Sequence, residues 1–292
     1  MTPKVSVVMA VRNEERYIRQ AIESILNQTH ADLELIIVDD ASTDATPQVI
    51  DEYAKKDSRV RVITLKKPAG VCAATNTAIK AALGEYVAVM DGNDIAMAGR
   101  IEEEAGFLAE HPQISCVSSP VILLDEEGNE VGERKDITPG PIEKLPKNHN
   151  PIVNSTAIFR KKDFLAAGGY PDTQYAGDRI LWEKMLKQKM KIQILPKPLL
   201  KYRLHTQGLT NAMYAGEGPQ TRRQYLWTLS SYLLQNKKNK EAKTNLTKLI
   251  KEEPTRPKYW LYLLLSLMPT VASEKAVNLL LPKIKKIIRV RQ

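Results

Sequence analysis

Four short apolar runs, each followed by a helix-like segment, constrain this chain more than any other feature. "KVSVVMAV" (4–11), "LELIIVDD" (33–40), "RVRVITL" (59–65) and "EYVAVMD" (85–91) are β-rich and bounded by turn residues. After the first run, Tyr17, Ile18, Ala21, Ile22, Ile25 and Leu26 recur at helical spacing, with Asn13 as a candidate N-cap. After the second, Ser42, Thr43 and Asp44 are cap candidates, and Pro47 suits a first helical turn. Residues 71–83 are Ala-rich and end at Gly84. Strand and helix in alternation imply right-handed crossovers and a parallel sheet, hence an α/β fold class.

In such sheets ligands bind beyond the carboxyl ends of the strands. Acids stand at or just after those ends: Asp39 and Asp40, then Asp44, then Asp91 and Asp94 in "DGND". Turn preference alone would explain one such group. Several, drawn from distant segments to one sheet edge, point to a site. Bare carboxylates repel a diphosphate, so a phosphate ligand there requires a hard divalent cation, Mg²⁺ or Mn²⁺, between them. No Gly-x-Gly-x-x-Gly follows the first strand and no Gly-Lys-Ser/Thr loop occurs, which argues against dinucleotide dehydrogenases and P-loop NTPases. The α/β-hydrolase signature Gly-x-Ser-x-Gly is missing as well.

The second half reads differently. A helix at about 97–110 precedes "ISCVSSPVILLDEEGNEVG", expected as two strands with Gly128-Asn129 as their turn. "NPIVNSTAIFRKKDFLAAGGY" reads as a strand and a short helix ending at Gly168-Gly169. "AGDRILWEKMLKQ" is an amphipathic helix offering Ile180, Leu181 and Leu186 to a core, and Trp182 is also expected inside. Cys72 and Cys116 lack metal spacing and read as buried thiols in a reducing compartment. No apolar leader is visible at the start.

With "VSVVMAVRNEERYIRQAIESILNQTHADLELIIVDDASTDAT", "GVCAATNTAIKAALGEYVAVMDGND", "NPIVNSTAIFRKKDFLAAGGY", "AGDRILWEKM" and "LLKYRLH" in this order, the chain resembles a bacterial-type family 2 glycosyltransferase of the GT-A fold over residues 3–207. The resemblance implies an inverting transferase that uses a nucleoside diphosphate sugar, with UDP-sugar as the usual donor. It assigns Asp178 as general base. Ala10, Val11, Arg12 and Asn13 would line the nucleotide pocket, Asp40 would bond the base, and Asp39 would support that loop. Asp91 and Gly92 would face the ribose and metal, with Asp91, Asn93 and Asp94 as metal ligands. Arg203 and His205 would lie near the diphosphate. Three positions depart from the family pattern: Asn93 stands where an acid is usual, Gly177 where a Glu precedes the base, and Thr75 where an Arg is common. These leave open a weakened or inactive member that binds a nucleotide sugar or a partner protein.

Charge divides the chain. Residues 221–292 carry 16 Lys+Arg against 4 Asp+Glu, while the rest carries 27 against 30. The expected organisation is therefore a catalytic domain over 1–220, with a nucleotide-sugar half (1–95) and an acceptor half (96–220), and a basic helical extension over 221–292. Tyr259 to Met268 is apolar but stops at Pro269, too short to span a bilayer. Lys283, Lys285, Lys286, Arg289 and Arg291 on Leu- and Ile-rich segments suit an anionic membrane surface, which implies a cytoplasmic protein peripheral to the inner face of the membrane. The competing reading is a helical hairpin resembling a tetratricopeptide unit, packed on the catalytic domain or on a second subunit of a homodimer. No nucleic-acid motif is present. The acceptor is a sugar, lipid-linked or protein hydroxyl, undetermined by the sequence.

Overall fold

In a computed structural model, residues 4–204 are described apart from 135, 147–149 and 174–176, together with 243, 246, 247 and 250. The chain divides into two compact units, Met1–His205 and Thr206–Gln292. The expected boundary at 220/221 and the basic helices lie outside the described residues.

The four alternating runs form β1 (Val5–Val11), β2 (Leu33–Asp39), β3 (Val60–Thr64) and β4 (Tyr86–Asp91), linked by α1 (Ile18–Leu26), α2 (Thr46–Lys56) and α3 (Val71–Ala81). All four strands are parallel, in the order β3-β2-β1-β4. β1 and β2 are buried almost throughout because helices cover both faces. Val5, Val7, Met9 and Val11 pack with α1, α2 and, beyond β4, α4 (Arg100–Glu110). Val8, Ile36 and Val38 point the other way, against α3, α5 (Lys161–Ala166) and α6 (Gly177–Lys187).

Past β4 come β5 (Ile95–Ala96), β6 (Ile114–Ser118), β7 (Val121–Leu124), β8 (Glu130–Glu133), β9 (Gly140–Ile142), β10 (Ile158–Arg160), β11 (Lys191–Ile194) and β12 (Leu200–Arg203). β10, β6, β11 and β9 extend the large sheet; β10 runs antiparallel to β4. A smaller sheet, β5-β12-β7-β8, rests beside the end of β4. The observed architecture is thus the expected α/β one, with a mainly parallel core and a mixed edge.

Three local expectations are corrected. Asn13 does not cap α1, which starts at Ile18 after Tyr17 without a side-chain cap; Asn13 is instead left-handed, φ 56°. The stretch 114–133 makes three strands, not two, because the chain leaves the large sheet at Ser119-Pro120 and enters the small one. On α6, Leu181 and Trp182 are buried and Leu186 packs against the core as expected, but Ile180 is exposed and Met185 takes its place inside. Cys72 and Cys116 are buried free thiols, as expected. Among the described residues no helix is long and apolar enough to cross a membrane.

Candidate active site

The register of the parallel strands assembles the rim. Ala10 lies opposite Val38 on one side and Asp91 on the other, and Val11 lies opposite Asp39. Three strands thus end level, and their loops meet.

The loops after β1 and β2 are latched to each other by reciprocal hydrogen bonds. The Asn13 amide donates to Ser42 Oγ (3.0 Å), and the Thr43 amide donates to Asn13 Oδ1 (2.8 Å). The Glu15 amide donates to Asp44 Oδ2 (3.1 Å), and the Ala45 amide donates to Glu15 Oε2 (2.9 Å). Ala41, like Asn13, is left-handed at φ 56°. For a residue with a Cβ this conformation costs about 1–2 kcal/mol, so the surrounding bonds must fix it. Two of those bonds are the Asp40 amide to the Val11 carbonyl (2.8 Å) and the Ser42 amide to Asp39 Oδ1 (3.1 Å). Arg12 is exposed beside this latch.

Asp39 and Asp40 are both buried. The Asp40 carboxylate accepts the amides of Ala69 (2.6 Å, Oδ1) and Gly70 (3.0 Å, Oδ2) and so shapes the turn entering α3.

The β4 loop carries the second acidic group. Gly92 is required by close approach: a Cβ there would lie 2.7 Å from Val11 Cγ1. Asp91 is partly exposed, and its carboxyl is raised to about 6, by burial first and then by the negative charge of Asp178. Asp94 is 1% exposed and is raised to about 8, chiefly by burial and next by Asp91. Asp94 Oδ1 accepts the Arg203 amide at 2.8 Å. Neither Asp94 Oδ2 nor Ser155 Oγ has a hydrogen-bond partner among the described residues, although the Ser155 hydroxyl is near enough to ease the Asp94 charge. Beneath the loop, Arg100 is fully buried, donating to the Val89 carbonyl (2.8 Å) and to Glu104 Oε2 (3.1 Å).

Asp178 lies in the first turn of α6, where the helix dipole favours a negative charge. Asn150 Nδ2 donates to its Oδ2 at 2.9 Å. Burial nonetheless raises its carboxyl, partly offset by the Arg179 amide and Asn150. Asp178 is therefore near enough for its charge to act on Asp91, although 87 positions separate them in the chain. Tyr170, also buried, feels both acids and donates to Asn154 Oδ1 at 2.7 Å.

Arg203 occupies a place that its sequence context does not suggest. Its guanidinium is stacked over Tyr17 (4.6 Å), and Nε donates to the Asn93 carbonyl (2.9 Å). Nη2 donates to Gln20 Oε1 (2.8 Å), and Nη1 donates to the carbonyls of Asp125 and Glu126 (3.3 Å each). This side chain ties α1, the β4 loop and the turn after β7 together. His205 lies outside the described residues. Thr75 is buried, and its hydroxyl donates to the Val71 carbonyl of its own helix.

Sequence reading passed over Glu14. Its carboxyl is raised to about 7 by burial and by Asp91 and Asp44, and its Cγ would lie 3.4 Å from a Cβ at Gly92. The one available signal was its place three residues past the end of the first strand.

No three acidic, His or Cys side chains form a metal cage among the described residues. Were a divalent cation bound, the β4 loop could give it Asp91 and Asp94 Oδ2, a buried oxygen without a hydrogen-bond partner among the described residues, with substrate phosphates supplying other ligands.

The family described as "Glycosyl transferase family 2" matches residues 6–167. An uncharacterized glycosyltransferase of Haemophilus influenzae is 32% identical over 235 residues, 75% of this chain and 71% of that protein. The putative teichuronic acid biosynthesis glycosyltransferase TuaG of Bacillus subtilis is 28% identical over 204 residues, 69% of this chain and 79% of that protein. Among solved structures, S. aureus TarS 1–349 in complex with UDP-GlcNAc superposes with a TM-score of 0.60 at 19% identity, covering 92% of this chain and 81% of that one. That is a likeness of fold, and it agrees with the GT-A architecture described above. The match over more than half of the chain, and the relative that it resembles along most of its length, place this protein among the enzymes of glycosyl transferase family 2.

Proposed function

We propose that the protein transfers a sugar from a nucleoside diphosphate sugar, with UDP-sugar the favoured donor, to an acceptor hydroxyl with inversion at the anomeric carbon. The observation that best supports this reading is that Asp178, at the start of α6, lies near enough to Asp91, at the end of β4, for its charge to raise that carboxyl. The nucleotide lies along the loop of Ala10, Val11, Arg12 and Asn13, and Asp39 and Asp40 hold the walls of that pocket. Asp91 and Asp94, with Asn93 between them, are the residues that would hold a divalent cation. Such a cation would supply positive charge to offset the diphosphate and the departing phosphate oxygen.

Asp178 accepts the proton of the attacking hydroxyl. The Asn150 amide fixes one carboxylate oxygen. Burial raises the group's basicity, which suits proton abstraction. Inversion is a single displacement and needs no enzyme nucleophile. Arg203 serves by holding the β4 loop in place. His205 is retained as a diphosphate contact on the family resemblance.

TuaG is named for teichuronic acid biosynthesis, and TarS was crystallised with UDP-GlcNAc. The first supports a role in surface polysaccharide or glycoconjugate synthesis, the second a UDP-sugar donor. The basic extension, at 16 Lys+Arg against 4 Asp+Glu, brings the enzyme to an anionic membrane at the cytoplasmic face.

The test is turnover of candidate UDP-sugars with Mn²⁺ or Mg²⁺, read as UDP release with and without sugar acceptors. Donor-dependent release that is lost in Asp178→Asn supports the reading. Absence of release, together with absence of nucleoside diphosphate binding by calorimetry, overturns it. Binding without release would favour the non-catalytic relative suggested by Asn93, Gly177 and Thr75.

A further inference from the structure

Gly177, the residue before Asp178, opens α6 and is buried. A Cβ built there would stand 2.2 Å from Cys72 Sγ, far inside contact distance, but 3.8 Å from Cys72 Cβ and 3.6 Å from Thr173 Cγ2. The φ angle of Gly177 lies outside the left-handed range, so space, not backbone conformation, demands the glycine. Cys72 in turn is 6% exposed, in the first turn of α3. Its sulfur thus lies against the residue that precedes Asp178, and burial, with the charges of Asp178 and Asp172, raises its thiol.

The first turn of α3 is itself anchored to the donor side of the rim, since Asp40 receives the Ala69 and Gly70 amides. A second tie lies one helical turn further on. Asn76 Nδ2 donates to the Tyr170 carbonyl (2.8 Å), and the Tyr170 amide returns a bond to Asn76 Oδ1 (3.1 Å). α3 thus touches the segment leading to Asp178 at two places, one polar and one a sulfur set against bare backbone.

We propose that Cys72 and Gly177 are a size-matched positioning pair for the transfer reaction: the sulfur fills the space left by the missing side chain and fixes where α6 begins, hence where Asp178 stands relative to the donor. The inference rests on the reading of Asp178 as the base. Neither residue touches substrate; both act through Asp178. A methyl group at 177 must displace either the Cys72 sulfur or the start of α6; the proposal is that α6 gives way, and a displacement of about 1 Å at a reacting group can cost about 10²-fold in rate.

The experiment compares the full-length protein, Gly177→Ala, and Cys72→Ala/Gly177→Ala for kcat, donor KM, the pH-rate profile and Tm. Gly177→Ala is expected to lose about 10²-fold in kcat, with donor KM changed far less and the acid limb of the profile shifted. The double variant, whose two Cβ atoms fit at ordinary contact distance, is expected to recover about tenfold or more of the lost kcat and to restore the limb. Full activity in Gly177→Ala, or no recovery in the double variant, overturns the pairing. If no form turns over any nucleotide sugar, the proposed function fails, and Tm still decides the pair. A fall in Gly177→Ala that is regained in the double variant upholds the packing; equal Tm values refute it.

Discussion

At the scale of single residues, the site is built from carboxyl groups whose environments differ. Asp178 is desolvated and has a side-chain donor on one oxygen, whereas Asp40 spends both oxygens on backbone amides. Replacing Asp178 by Asn should therefore lower turnover by about 10²–10⁴-fold while leaving Tm equal or higher, because a desolvated carboxyl is replaced by a neutral amide; initial rates and thermal melts check both parts. Arg203 makes the opposite prediction. Its planar fork reaches Gln20 and three carbonyls that a lysine cannot span together, so Arg203→Lys should destabilise by about 1–3 kcal/mol, seen as a lower urea midpoint at unchanged slope. Nothing in "KYRLH" distinguishes an arginine that faces a ligand from one stacked on Tyr17, because its partners lie up to 183 positions away.

At the scale of elements, the β4 loop and α4 concentrate acids held above their ordinary range: Asp91 near 6, Asp94 near 8 and Glu104 near 7. Each binds its proton more tightly folded than unfolded. Stability from these groups is thus full at about pH 4 and is lost as pH rises through 6 to 8, flattening above that range. Urea titrations from pH 5 to pH 9 should show the decline. Mn²⁺ should raise Tm more at pH 8 than at pH 5.5, since the ion competes with protons for Asp91 and Asp94; equal shifts at both pH values would speak against that pair as ligands. The strands and crossovers were legible because β-rich runs and helical spacing are local signals. The Asn13 cap was misread because that residue's bonds go to Thr43 and Ser42, across to the next loop, rather than to its own helix. Likewise, the switch of sheets at Ser119-Pro120 depends on β12 and β11, which arrive some 70 or more residues later. The Asp39, Asp91 and Asp94 loops could be anticipated as strand ends; the burial of Asp94 and the pairing of Cys72 with Gly177 could not, since both are set by tertiary packing.

At the scale of the whole molecule, residues 1–220 carry slightly more acids than bases and residues 221–292 are strongly basic. Full-length protein should sediment with vesicles containing phosphatidylglycerol and not with neutral phosphatidylcholine vesicles, and salt should release it, because screening shortens the reach of surface charge to about 8–10 Å. Equal binding to both vesicles, or to neither, would count against membrane recruitment and favour the helical-hairpin alternative. Parallel strands have a further consequence for handling the enzyme. Lys4 is exposed just before β1, at the end of the sheet opposite Asp91. A tether fixed at Lys4 would therefore attach at the end of the parallel strands away from Asp91. Immobilised that way on a bead or sensor chip, the protein should admit soluble donors as freely as the untethered form does.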